Sequence, residues 1–230
     1  MKKINLKTLI IILAVLITAS FASHRLFLKK TLVNPTMSEQ KTEANAPATI
    51  GTSTATADPT VKKSDRLAPP LASARARVIK KPFGLKVSPN NSPISPEKFS
   101  GYHTDVDFEI LAGEENKDVI VSAICSGPLA LKKYASGYGG VAVQNCLLDS
   151  QNVTIIYGHL KSDSIKPEID EQIFVGEQIA LLGQGYSAQT DGERKHLHLG
   201  IHKGKAISLL GYVSNPAELS NWLDALKYLP

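Results

Sequence analysis

Covalent cross-links are scarce in this chain. Of its 230 residues only two are cysteines, Cys125 and Cys146, so one disulfide at most is available. Both fall at the edges of predicted strands in neighbouring hairpins, where an exported protein would join them; two buried free thiols are the alternative. Long apolar runs are also few. The stretch TLIIILAVLITASFA (8–22) is fifteen residues long, short of the ~20 that a membrane-crossing helix needs. The basic MKKINLK before it and the small residues Ser20 and Ala22 fit a secretory signal peptide cleaved after Ala22. The LFL beyond His24 and Arg25 leaves an uncleaved membrane anchor as the other reading. Both place the protein outside the cytoplasm, in the periplasm or cell envelope, with the membrane as a partner of residues 1–30.

Positive charge is missing from the back of the chain. Residues 1–85 carry 14 Lys/Arg against 4 Asp/Glu, whereas residues 86–230 carry 12 against 17. The folded part is therefore acidic, and nucleic-acid binding by it is not indicated. Aromatic residues are absent from 31–81, where Thr, Ala, Ser, Pro and Lys dominate. Such a segment buries too little apolar surface to offset its ordering entropy and reads as a flexible, disordered tether. Its basic end would be drawn to anionic headgroups or wall polymers, unless it is simply a soluble linker.

What is present begins at Pro82. Short apolar segments alternate with turn signals: FEILA and GEENKD, VIVSAIC and SGP, LALKKY and ASGYGG, VAVQNCLL and DSQN, then VTIIYGHL and HLHLGIH. This texture predicts an all-β domain over 82–230, an antiparallel sheet in a barrel- or sandwich-like arrangement. In NPAELSNWLDAL (215–226), Pro216 at the first turn and Leu219, Trp222, Leu223 and Leu226 at helical spacing predict a C-terminal helix on the sheet. No internal repeat and no separate wall-binding module is evident, and a monomer is expected.

Five of the six histidines lie in this domain: His103, His159, His196, His198 and His202. On a strand, residues two apart share a face, so HLH presents two imidazoles while Leu197 and Leu199 face a core. Two unsatisfied imidazoles buried together would be costly; one binding a metal and the other moving protons makes sense of the pair. His103 and Asp107 in HTDVD add a nitrogen and a carboxylate at chelating spacing. A catalytic zinc takes about three His/Asp/Glu/Cys ligands and keeps one position open. Two histidines and an aspartate meet that count and leave two more histidines for acid–base roles. Spacing alone does not say which histidine of HLH is the ligand.

FSGYHTDVDFEI, SGYGGVAV, YGHL, GEQIALLGQG and HLHLGI resemble the motifs of the M23 peptidases, the lysostaphin-like zinc endopeptidases that cut peptidoglycan peptides. The likeness covers roughly residues 82–206. It implies that His103, Asp107 and His198 hold Zn2+ and that His159 and His196 flank the reacting water and carbonyl. One of these two would help deprotonate the water and the other would stabilise the oxyanion. Peptidoglycan stems or cross-bridges are the implied substrate. Asp105 stands where the family often has glycine; a solvent-facing side chain is expected there, the alternative being a carboxylate beside the ligands that alters local electrostatics or substrate preference. QTDGERK (189–195) replaces a glycine-rich lead-in and reads as a polar turn at the cleft rim. His202 matches no family position and is read as a rim residue. Tyr157 alternates with His159 and would line the cleft or pack in the core.

Three other readings compete. An M23-like module without catalysis would bind cell wall or activate other wall hydrolases; that kind of module typically lacks ligands that are all present here. A peptidase acting on proteins rather than wall is the second. Nucleophilic serine chemistry is the third, and no serine sits in a Gly-flanked elbow.

Overall fold

The computed structural model describes residues 67–230; the expected targeting segment and the tether as far as residue 66 lie outside the described residues. Eleven strands are described: β1 (Lys86–Val87), β2 (Gly101–His103), β3 (Val106–Glu109), β4 (Ile120–Ser122), β5 (Gly127–Ala135), β6 (Gly139–Leu148), β7 (Gln151–Leu160), β8 (Gln172–Ile173), β9 (Gln178–Leu181), β10 (His196–Lys203) and β11 (Tyr212–Val213). Six of them form an antiparallel sheet in the order β3-β10-β7-β6-β5-β8. A three-stranded sheet β1-β2-β11 and the pair β4-β9 complete the all-β architecture. No helix among the described residues is long and apolar enough to cross a membrane.

Side-chain alternation explains the layers. Leu197, Leu199 and Ile201 of β10 join Val106 and Phe108 of β3 and Val153, Ile155 and Tyr157 of β7 in the principal core. The residues between them face the other way. There Ile156 packs with Tyr138, Val141, Val143 and Trp222 in a smaller apolar cluster, beside which His196 and His198 lie. Tight connections keep neighbouring strands paired: Asp149 and Ser150 join β6 to β7 with positive φ at both positions (49° and 61°), the geometry of a two-residue hairpin turn. Cys125, just before β5, and Cys146 in β6 form a disulfide with Cα atoms 6.3 Å apart, as their strand-edge placement suggested.

The chain departs from the sequence-based expectation at both ends of the domain. The C-terminal segment makes two 3-10 turns, Pro216–Asn221 and Ala225–Lys227, instead of one α-helix. Asn215 caps the first by accepting from the Ala217 amide at 3.0 Å. Trp222 then turns extended, bridges His202 and buries its ring in the smaller cluster. Tertiary packing of one large aromatic side chain overrides the helical period. At the front, residues 67–81 were expected as tether, yet Leu67, Leu71 and Ala74 are buried in the principal core. Arg77, 2% exposed, forks onto Glu114 with contacts of 2.6 and 2.9 Å and donates to the Ala72 carbonyl at 2.6 Å. Leucines spaced among prolines and arginines carry no period, so this packing has no simple sequence signal.

The hydrogen bonds from Arg77, against a smaller effect of burial, hold the Glu114 carboxyl down at about 2 from its usual 4.5. A depressed carboxyl stabilises the fold fully above its unfolded pKa and loses that contribution as pH falls through the folded one. The stabilisation is therefore present above pH 4.5 and fades towards pH 2. Glu114→Gln is expected to flatten the acid limb of a denaturation profile in this window. Arg77→Ala is expected to cost about 2 kcal/mol and to expose residues 67–81 to limited proteolysis, read by urea denaturation and by digestion mapping.

Candidate metal centre

Register builds the centre. On β10, His196 pairs across from Glu109 of β3, and His198 pairs across from Asp107. These four side chains thus share the face opposite the core. His103 ends β2, and only Thr104 and Asp105 separate it from β3, so its ring arrives beside Asp107. His103 Nε2 lies 3.3 Å from His198 Nδ1 and 3.4 Å from Asp107 Oδ1, which is 2.7 Å from His198 Nδ1. Both rings have their other nitrogen occupied from outside: His103 Nδ1 donates to the Pro82 carbonyl at 3.3 Å, and His198 Nε2 faces Asp105 Oδ2 at 2.5 Å.

His159 and His196 stand alongside, with ring centroids 4.4 Å apart. His196 Nδ1 donates to the Arg194 carbonyl at 2.9 Å. Its Nε2 and the Nδ1 of His159 are buried without a hydrogen-bond partner. His159 reaches this face because its backbone is left-handed, φ 59°, where the β6–β7 register shifts opposite Gly140 and Ala142. The neighbouring Gly158 leaves room for the Tyr138 ring, since a Cβ there would lie 2.5 Å from Tyr138 Cδ1. Strain of this kind persists where surrounding structure enforces it. It also parts His159 from Tyr157, whose hydroxyl accepts from the Ile124 amide and donates to Gln144 Oε1, both at 3.0 Å. Tyr157 is therefore core, outside the cleft.

Charge on this buried face is balanced by Arg194. Its Nη2 donates to Asp107 Oδ2 at 2.7 Å and to Glu109 Oε1 at 2.6 Å, while Nε contacts both Glu109 oxygens. Asp107 is thus gripped by one oxygen and offers the other to the histidines. Burial alone would raise the Asp107 carboxyl, but the His196 and His103 rings beside it hold it well below the usual range. Burial, aided by the charges of His196 and His198, pushes the His159 imidazole well below its usual value. Burial would lower His198 too, yet the carboxylates of Asp105 and Asp107 outweigh it and raise the ring to about 10.

All five expected site residues come together: His103, Asp107 and His198 in one group, and His159 and His196 beside His198. Asp107, His159, His196 and His198 line a cavity of about 230 Å³ with Lys81, Tyr138, Arg194 and Tyr212 among its walls. Three expectations are corrected or sharpened. Asp105 does not face solvent; it is 1% exposed and points at His198. QTDGERK does turn, at Asp191 and Gly192 beside the cavity, but Thr190, Glu193, Arg194 and Lys195 are buried. Lys195 donates to the carbonyls of Glu114, Glu115 and Lys117, and Asp191 accepts from Tyr134 and Gly137 of the β5–β6 hairpin. His202 stands away from the group, its ring edge-on to Trp222 at 4.8 Å. The sequence reading missed Arg194 and Tyr212, although Arg194 precedes His196 and His198 at the same two-residue step.

The chain resembles the M23 peptidases. No family model matches it, and no curated protein does. Among solved structures, Csd3 of Helicobacter pylori aligns at 18% identity over 65% of this chain and 35% of that chain, with a TM-score of 0.41. The catalytic domain of the antimicrobial peptidase lysostaphin from Staphylococcus simulans aligns at 18% identity over 65% of this chain and 86% of that one, TM-score 0.40. The structure of the SpoIIQ–SpoIIIAH pore-forming complex matches at 16% identity over 72% and 92%, TM-score 0.48. This chain spans about a third of Csd3.

Removing the cation should expose what it holds. Arg194→Ala leaves Asp107 and Glu109 buried without their common partner, and a stability loss of about 3–5 kcal/mol is expected by chemical denaturation. Arg194→Lys should restore only part, because an ammonium cannot reproduce the fork across two carboxylates.

Proposed function

We propose that this chain is an exported zinc endopeptidase that hydrolyses peptide bonds in peptidoglycan stems or cross-bridges. One observation carries the reading: His103 Nε2, Asp107 Oδ1 and His198 Nδ1 converge to within 3.4 Å of one another on a buried face. Ligands on a tetrahedral zinc with bonds of about 2.0 Å stand about 3.3 Å apart, so the donor set fits in kind and in spacing. Their remaining polar atoms are already engaged by Pro82, Asp105 and Arg194. Zinc held there would supply a Lewis acid that polarises a carbonyl and acidifies a water.

The rest is done by the chain's own groups. His196, with Nδ1–H committed to the Arg194 carbonyl, keeps a lone pair on Nε2 and can accept a proton there. His159, whose imidazole burial pushes well below its usual value, stabilises charge that develops on the substrate oxygen. Arg194 fixes the Asp107 carboxylate. The M23-like motifs supply the substrate class, and the basic start and apolar run of residues 1–22 supply export.

Zinc content near one per chain is expected for the purified full-length protein, collapsing in His103→Ala. His159→Ala should keep its metal and lose about 10²–10⁴ in rate on purified muropeptides followed by mass spectrometry. Zinc-loaded protein that leaves muropeptides intact would sink the enzyme reading and favour a wall-binding or activating module.

A further inference from the structure

We propose that Asp105 is a positioning residue of this centre: by accepting the Nε2–H of His198 it fixes that ring with Nδ1 turned towards Asp107 and His103. The inference rests on the metal-centre reading and adds to it a residue outside the five. Asp105 is 1% exposed, in the two-residue link between β2 and β3. Its Oδ2 lies 2.5 Å from His198 Nε2, with the Tyr138 hydroxyl at 3.5 Å. Its Oδ1 is buried and has no hydrogen-bond partner. No lysine or arginine pairs with it among the described residues, unlike Asp107 and Glu109. A buried carboxylate in that state costs stability, so its placement is not explained by folding. Its one close partner is the ring of a proposed ligand.

The chain makes room for this contact on the facing strand. A Cβ at Gly200 would sit 2.4 Å from Asp105 Oδ1 and 2.7 Å from Cγ. The backbone of Gly200 has no positive φ, so glycine is needed there for space and not for conformation. A Cβ at Gly211 would lie 3.1 Å from His198 Nε2. The ring is therefore walled by Asp105, Tyr138 and the bare backbone of Gly211, and it can neither flip nor swing without losing the carboxylate. A carboxylate on the outer nitrogen of a metal-bound histidine fixes tautomer and orientation and raises the basicity of the inner nitrogen.

The test is the zinc dissociation constant of the purified full-length chain, measured by competition with a chromophoric chelator. Asp105→Ala is expected to raise it about 10–100-fold, with an unchanged circular-dichroism spectrum. Gly200→Ala should weaken zinc binding in the wild-type background and have no further effect in Asp105→Ala, because the obstructed carboxylate is gone. An unchanged constant in Asp105→Ala overturns the proposal while leaving the centre intact. Wild-type protein that binds no zinc overturns the centre itself. Should Asp105→Ala fail to fold, Asp105→Asn reads the loss of charge with volume kept. A rise of about 10-fold is then expected, and wild-type affinity overturns the proposal.

Discussion

One guanidinium makes the buried face of β10 tenable. Four imidazoles and three carboxylates crowd a region where every member is at most 7% exposed. Arg194 spans Asp107 and Glu109 at 2.6–2.7 Å with Nη2, adding its Nε to Glu109, and so pairs one cation with two of the three anions in a fixed geometry. The consequence is directional as well as energetic. With Oδ2 of Asp107 occupied, Oδ1 is the oxygen left for His103 and His198. A bidentate fork suits this task better than an ammonium, because it sets the carboxylate plane as well as its charge.

Strand alternation made part of this arrangement readable from residues alone. His196 and His198 share a face, and Leu197 and Leu199 take the other, as HLHL implied. His103 and Asp107 needed only the short link between β2 and β3 to meet. The pairing of β3 with β10, which makes Asp107 a cross-strand neighbour of His198, is a contact between residues 91 positions apart, and no local pattern announces it. Arg194 and Asp105 escaped for a different reason. Charged residues in turn-like stretches are usually solvated, and only the packed fold shows that these two are dry. His159 was named as a site residue from the family resemblance, and the fold brings it beside His196. The backbone that delivers it, left-handed at a bulge, violates the alternation used to place Tyr157 beside it.

The boundary of the folded unit was misjudged for a related reason. Residues 67–81 have the composition of a tether, yet they contribute buried leucines, the Arg77 fork, and a direct frame for the centre. The Lys81 carbonyl accepts from the Asp107 amide at 3.0 Å, and the Pro82 carbonyl accepts from His103 Nδ1. Lys81 itself is buried, its Nζ 2.6 Å from Glu97 and 2.8 Å from the Tyr212 hydroxyl. Composition registers how much apolar surface a segment owns. It does not register that a few leucines can be enough when a preformed sheet supplies the other side.

That last point joins the two ends of the chain to the chemistry. The Leu67 amide donates to the Tyr228 carbonyl, and Arg75 donates to the carbonyls of Leu226 and Leu229. Trp222, from the same C-terminal stretch, closes the apolar cluster that also holds Tyr138, whose ring lies against His159 and His198. The segment before Pro82 and the 3-10 turns after Val213 thus hold each other and together clamp one sheet. Their burial does not touch the four histidines of the centre, yet it fixes the strands that carry them. A centre whose donors must stand within a few tenths of an ångström of their positions requires such clamps, because the donors come from β2, β3 and β10, with His159 added from β7, and no single element could hold them in place.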